Sequence, residues 1–193
     1  MRKINWLCVS LLLIVGNSLT LAQKDKTTET YTASQVLDSW VTSSEKQLVD
    51  VAEAMPADKY SFAPTNGEFR GVRTFAKQVK HAAAVNYLMG AGILGVEPSA
   101  DAADERGPDA VKTKDEIVKY LKDSFAYLHK AVGTINEKNV VEPIKSPFGK
   151  GSEIRAGTRL GLVTGAIDHA ANHYGQMVEY LRMNGIVPPA SQR

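Results

Sequence analysis

From residue 32 onward, apolar residues recur at helical spacing in four long runs separated by Gly- and Pro-rich stretches. The first run is Val36, Leu37, Trp40, Val41, Leu48, Val51, Ala52 and Met55. Their i, i+3, i+4 spacing marks one face of a helix. Thr32-Ala33-Ser34-Gln35 reads as a capping box at its start, and Pro56 forbids continuation, which predicts a helix over 33–55. A second run, with Phe75, Val79, Ala82, Ala83, Leu88 and Met89, follows Thr74 and dies in Gly90, Gly92 and Gly95, predicting 74–91. Thr113-Lys114-Asp115-Glu116 is another capping box. It opens a stripe of Ile117, Leu121, Phe125, Leu128 and Val132 that predicts 114–133. The fourth run predicts 158–184, closed by Asn184-Gly185 and Pro188-Pro189. Strand patterning is slight. The connection 96–112, rich in Ala, Asp, Gly and Pro, is long enough to be the most mobile one, and 137–157 reads as an irregular crossover with a turn at Phe148-Gly149-Lys150-Gly151. The implied architecture is all-α, a four-helix bundle over residues 32–190, with any site built from facing helices in its core.

The first 22 residues have a different pattern. Arg2 and Lys3 precede an apolar segment, Trp6 to Val15, and Thr20-Leu21-Ala22 ends in a small residue. That is the form of a secretory signal cleaved after Ala22. The apolar segment is far shorter than the roughly 20 residues a spanning helix needs, so no stable membrane span is expected after cleavage. The protein is therefore expected outside the cytoplasm, periplasmic or extracellular. Residues 23–31 are polar and expected to be disordered. Cleavage changes the picture twice. The single cysteine, Cys8, leaves with the signal, so the mature chain has no disulfide or thiol chemistry of its own. Losing Arg2 and Lys3 from 23 basic residues leaves 21 against 21 acidic ones. A neutral chain with scattered charges has no electrostatic footprint for nucleic acid.

Candidate chemistry lies in the fourth run. Its segment Asp168-His169-Ala170-Ala171-Asn172-His173-Tyr174-Gly175-Gln176 holds two of the chain's four histidines. On a helix, positions four apart share a face one turn apart, with Cβ atoms roughly 6 Å from each other, so His169 and His173 are placed to converge on one metal ion. The competing reading is two ordinary helix histidines. Two ligands make no tight site, and the candidate third is His81, mid-way along the second helix. A lone histidine there is more often a satisfied core or surface residue, so both readings stand at this point. His129, on the flank of the third helix, reads as a surface residue. Gln176, seven residues past His169, is placed either to line a pocket and orient water or simply to pack. Asp168 points about 100° away from His169 on a helical wheel. Gly161 and Gly165 read as packing positions.

The segment Thr74-Phe75-Ala76-Lys77-Gln78-Val79-Lys80-His81, followed by His169-x-x-x-His173-Tyr174-Gly175-Gln176, Leu181-Arg182 and Gly185, resembles the DinB-like family. Met55 to Thr65 resembles that family's link after its first helix. The resemblance spans roughly the whole mature chain and implies a four-helix bundle of up-up-down-down type with a long crossover connection. It also implies a three-histidine metal centre, which here falls on His81, His169 and His173, and a tendency to form homodimers. The secretory signal departs from many members.

Three imidazoles leave at least one coordination position open, the pattern of a reactive site. The ligand set is compatible with Zn, Ni, Fe or Mn. Ala170 stands where a zincin peptidase carries its glutamate, which excludes that class. The expected function is a metal-dependent hydrolase or transferase using a metal-bound nucleophile, with an unknown small-molecule substrate. The alternative is a non-catalytic metal- or ligand-binding bundle.

Overall fold

The computed structural model describes residues 30–148 and 156–192. The expected signal segment 1–22, the polar residues 23–29 and all but Phe148 of the expected turn 148–151 lie outside the described residues. Four long helices carry the fold: α1, Ala33–Ala54; α2, Phe75–Leu94; α4, Lys114–Val132; and α5, Arg159–Met183, with a single-turn α3, Ala100–Ala103, between α2 and α4. Among the described residues the only β pairing is an isolated bridge between Pro143 and Thr158. No described helix is long and apolar enough to cross a membrane.

The capping chemistry read from the sequence is present. Thr32 and Gln35 cap each other reciprocally, as do Thr113 and Glu116. Hydroxyls of Thr74 and Thr158 accept from the first-turn backbone N–H groups of α2 and α5. Each hydroxyl satisfies a donor the helix start would otherwise leave orphaned.

Contacts at the helix ends set the topology. The Tyr60 hydroxyl donates to the Ala52 carbonyl at 2.7 Å, and the Tyr60 carbonyl accepts from Ala76 N–H at 2.8 Å, so the connection after α1 folds back and starts α2 where α1 ends. Lys114 at the start of α4 donates to the Glu53 carbonyl at the same end. Arg159 at the start of α5 reaches the Ile93 carbonyl at the far end of α2. The order is therefore up-down-down-up rather than the up-up-down-down the resemblance implied, because the first connection returns on itself. α2 and α4 run parallel, and the connection 95–113 is the long crossover that returns the chain along the bundle. Around the square, α1 and α2 each pack on α4 and α5. The crossover, expected to be the most mobile connection, is tied to α2 by a Lys80 ammonium–Pro108 carbonyl bond and by a contact to His81 described below.

α2 is the central helix, buried nearly all round, including Phe75, Val79, His81, Ala82, Val85, Leu88 and Ile93. It runs past the expected end at residue 91 to Leu94, and its cap is Gly95 in a left-handed conformation. Gly90 and Gly92 are sites of close approach: a Cβ on Gly90 would stand 2.8 Å from the Tyr127 ring, and one on Gly92 2.8 Å from Leu162. In α1, Leu37, Val41, Leu48, Val51 and Ala52 face the core, while Val36 and Trp40, assigned to the same stripe by spacing, face solvent.

His129 is not the free surface residue expected. It is half-buried between α4 and α1, Nδ1 2.5 Å from Asp38 and Nε2 3.2 Å from Glu45. Asp38 and Glu45 are two turns apart on one face of α1, so the ring bridges both. Ionised carboxylates only accept, so the ring donates from both nitrogens and carries a charge. Burial works against that charge, but the two carboxylates outweigh it and raise the pKa.

Candidate metal centre

The second turn of α2 and the middle of α5 bring three imidazoles to one point. His169 Nε2 lies 3.1 Å from His81 Nε2 and 3.1 Å from His173 Nε2, and the potential ligand atoms of all three are within 4.8 Å of one another. The rings stand edge-on, with centroids 4.3–4.9 Å apart and interplanar angles of 64–79°. His81 and His173 are buried and His169 is partly so. His129 stands apart, on the α1 side of α4.

Proton bookkeeping decides what this cluster suits. His81 Nδ1 is 2.7 Å from the carbonyl of Glu105, which can only accept, so the proton sits on Nδ1 and the Nε2 lone pair faces the other two rings. A neutral imidazole nitrogen carries either a proton or a lone pair. His169 Nε2 cannot both donate to the bare His81 Nε2 and accept from His173 Nε2. One of the two 3.1 Å contacts is therefore left without a hydrogen bond whichever tautomer is chosen. A single cation at the shared point satisfies all three lone pairs. Burial is the main reason the three rings hold protons poorly. It lowers His81, takes His169 down to about 4 and His173 to about 3, and the neighbouring rings and Arg73 add to the effect. Neutral imidazoles are what metal ligation requires. The spacing also fits: two nitrogens about 2.1 Å from one ion are roughly 3.0–3.4 Å apart for angles of about 90–110°. These three residues could thus hold a metal ion, and they are the set the sequence singled out.

The second layer was not legible in the sequence. Glu105 is the one described non-glycine residue with positive φ, 55°, and this conformation turns its carbonyl toward His81. Its carboxylate stands 4.0 Å from the same nitrogen. His173 Nδ1 is buried without a partner. Gln176 is exposed and binds across the helices, its Oε1 accepting from Gln78 at 2.6 Å and its amide donating to Asn172. It cross-links α5 to α2 one turn beyond His173 and is not part of the cavity wall.

That wall borders an open cavity of about 1130 Å³ over the histidines, lined by Arg73, Met89, Glu105, Leu160, Leu162 and Asp168 among others. Asp168, expected to point away, does line it, because the cavity is wide enough to reach the neighbouring ridge of α5. Gly161 and Gly165 line it too.

No curated protein matches the chain. Among solved structures it is similar to a DinB-like protein from Bacillus cereus, at 17% identity and a TM-score of 0.64, covering 82% of this chain and 96% of that one. It is also similar to a conserved protein from Enterococcus faecalis, at 17% identity and a TM-score of 0.59, covering 79% and 97%. At such identity these likenesses speak for the fold. The family model of the DinB superfamily matches residues 41–177, a segment that runs from α1 through all three histidines, and the chain belongs to the DinB superfamily.

Proposed function

We propose that the protein binds one divalent transition metal, Zn, Ni, Fe or Mn, through His81, His169 and His173, and works as a metal-dependent hydrolase or transferase on a small molecule. The observation that supports this most is the convergence of three Nε2 atoms that no arrangement of protons satisfies, on the floor of an open cavity. His81, His169 and His173 would hold the ion, which would supply Lewis-acid chemistry for activating a nucleophile. The chain's own residues supply the rest. The Glu105 carbonyl fixes the tautomer of His81, as outer hydrogen bonds to metal-binding histidines generally do. Asp168, exposed on the cavity wall beside His169, is the proposed proton acceptor, a role for which Glu105, turned to His81, is less well placed.

Elemental analysis of protein purified without a histidine tag tests the metal. Near-stoichiometric metal in the wild type is expected, with a loss of affinity on the order of 100-fold or more in His81→Ala, His169→Ala and His173→Ala, since two imidazoles remain, and no loss in His129→Ala. Equal metal content in the wild type and all three single variants refutes the assignment.

Export and self-association belong to the same reading. The Arg2-Lys3, Trp6–Val15 and Ala22 pattern supports secretion with a mature start at Gln23. Intact-mass measurement of the exported protein tests this, and soluble cytoplasmic protein retaining residues 1–22 contradicts it. Exposed Val36 and Trp40, one turn apart on α1, support a homodimer, tested by light scattering over a concentration series.

A further inference from the structure

Three features of the cavity bear on what it holds. The first is Arg73, the residue before the N-cap of α2. Its carbonyl accepts from the Tyr180 hydroxyl at 2.9 Å, which ties this end of α2 to α5. Arg73 lines the cavity, is exposed, and has no carboxylate partner among the described residues. It shares the cavity lining with all three histidines. A cation kept unpaired beside a cation-binding cluster costs electrostatic repulsion unless an anion joins them. The two cavity carboxylates do not fill that role: Glu105 is turned to the outer nitrogen of His81, and Asp168 makes no ion pair with Arg73.

The second is a groove in α5. Gly161 and Gly165 lie one turn apart on the cavity side, and Gly165 precedes His169 by another turn. A glycine inside a helix costs about 1 kcal/mol against alanine. At Gly165 no tight packing calls for it: a Cβ would meet only Met89, at 3.5 Å or more, an ordinary contact. What the missing side chain leaves is room next to the histidines. The third feature is the wall of that groove, where Met89, Leu160 and Leu162 are apolar.

We propose that the cavity takes an amphiphilic monocarboxylate whose carboxylate joins the open side of the histidine-held ion to the Arg73 guanidinium, with its apolar body in the groove over Gly161 and Gly165 against Met89, Leu160 and Leu162. A planar carboxylate suits both partners, since one oxygen can face the ion while the guanidinium fork takes the other. One arginine matches a single negative charge. Among the described lining residues, a divalent ion and Arg73 together would outweigh Glu105 and Asp168, which favours an anion. The inference rests on the metal reading above.

The test uses full-length mature protein loaded with Co(II), whose visible spectrum reports both the ion and a ligand joining it. Acetate and hexanoate are the probes. Both are expected to change the spectrum at saturation, with a Kd for hexanoate at least tenfold below that for acetate, because only hexanoate buries methylenes in the groove. Arg73→Gln is expected to weaken both about tenfold with cobalt content unchanged. Gly165→Leu is expected to weaken hexanoate about tenfold and leave acetate as it was. No spectral response to either probe, equal affinity for the two in the wild type, or wild-type binding by Arg73→Gln overturns the inference while the metal site stands. Failure to bind Co(II) at all overturns the metal reading and this inference with it. The two-probe comparison in the wild type decides the groove even if Gly165→Leu does not fold.

Discussion

At the scale of single residues, the chain holds its histidines in opposite charge states, and this gives a pH signature. In the metal-free protein, burial lowers His169 to about 4 and His173 to about 3, whereas in the unfolded chain both titrate near 6.5. Between those values the unfolded state binds more protons than the folded one, so stability falls as pH drops below about 6.5. His129 behaves in the opposite sense. Its folded pKa is raised, so the stability from its bridge to Asp38 and Glu45 is complete below about 6.5 and is lost as pH rises through the raised value. Denaturant melts across pH 4–9 with EDTA present should show His173→Ala flattening the acid limb and His129→Ala flattening the limb above neutrality. His129→Ala should cost about 1–2 kcal/mol at pH 6, reduced from the full value of charged hydrogen bonds because the carboxylates are partly exposed. Identical pH profiles for wild type and both variants would show that neither environment is as described. The His169–His173 pair was legible because i, i+4 geometry is a sequence property, and the resemblance to the DinB-like family added His81, a candidate by its place on α2. Glu105 was not: it acts through a backbone carbonyl that a left-handed residue turns inward, and no side-chain pattern announces that.

At the scale of elements, caps and stripes were readable because they are local. The end of α2 was not, because glycine carries two meanings. Read along the chain, Gly90, Gly92 and Gly95 all signal a stop. In the fold only Gly95 is one, with φ 71°, while Gly90 and Gly92 let α4 and α5 come close. Trp40 was misplaced for a related reason: it shares a helical period with the core stripe, but lies one row off it. The distinction predicts opposite outcomes for chemically identical substitutions. Gly90→Ala gains about 1 kcal/mol of helix propensity but puts a methyl 2.8 Å from the Tyr127 ring, and overpacking of that kind costs about 1–3 kcal/mol, so the variant should be net destabilised. Gly175→Ala, on α5 with nothing within 4 Å, should be stabilised by about 1 kcal/mol. Chemical denaturation of the two variants checks this, and a stabilised Gly90→Ala would mean α4 sits further from α2 than described.

At the scale of the whole molecule, the candidate centre joins parts of the chain that meet only in the folded state. His81 and His169 are 88 residues apart, and between them lie the crossover, α4 and the irregular connection to α5. Helix directions and the ring order of the bundle were not legible from periodicity, since they depend on where each connection lands. The Tyr60 fold-back decides the first of these, through contacts that no stripe encodes. This separation has a thermodynamic consequence. An unfolded chain keeps His169 and His173 near each other but loses His81 to a distant segment, so the complete ligand set exists only in the native bundle. A ligand that binds the native state alone stabilises it by RT ln(1 + [L]/Kd), about 2.7 kcal/mol at a free concentration 100 times Kd. For a domain of this size that corresponds to a rise in Tm of roughly 5–10 °C. Thermal melts of apo protein with added Zn(II) should show such a rise, reversed by EDTA. His81→Ala should lose most of it while keeping a helical far-UV spectrum, because the bundle rests on its apolar stripes. His129→Ala should melt lower at all metal concentrations yet show the full metal-dependent increment, since its bridge joins α1 to α4 and touches neither of the two metal-bearing helices, α2 and α5. A metal increment in His81→Ala as large as in the wild type would place the ion elsewhere, and with it the function argued from these three rings.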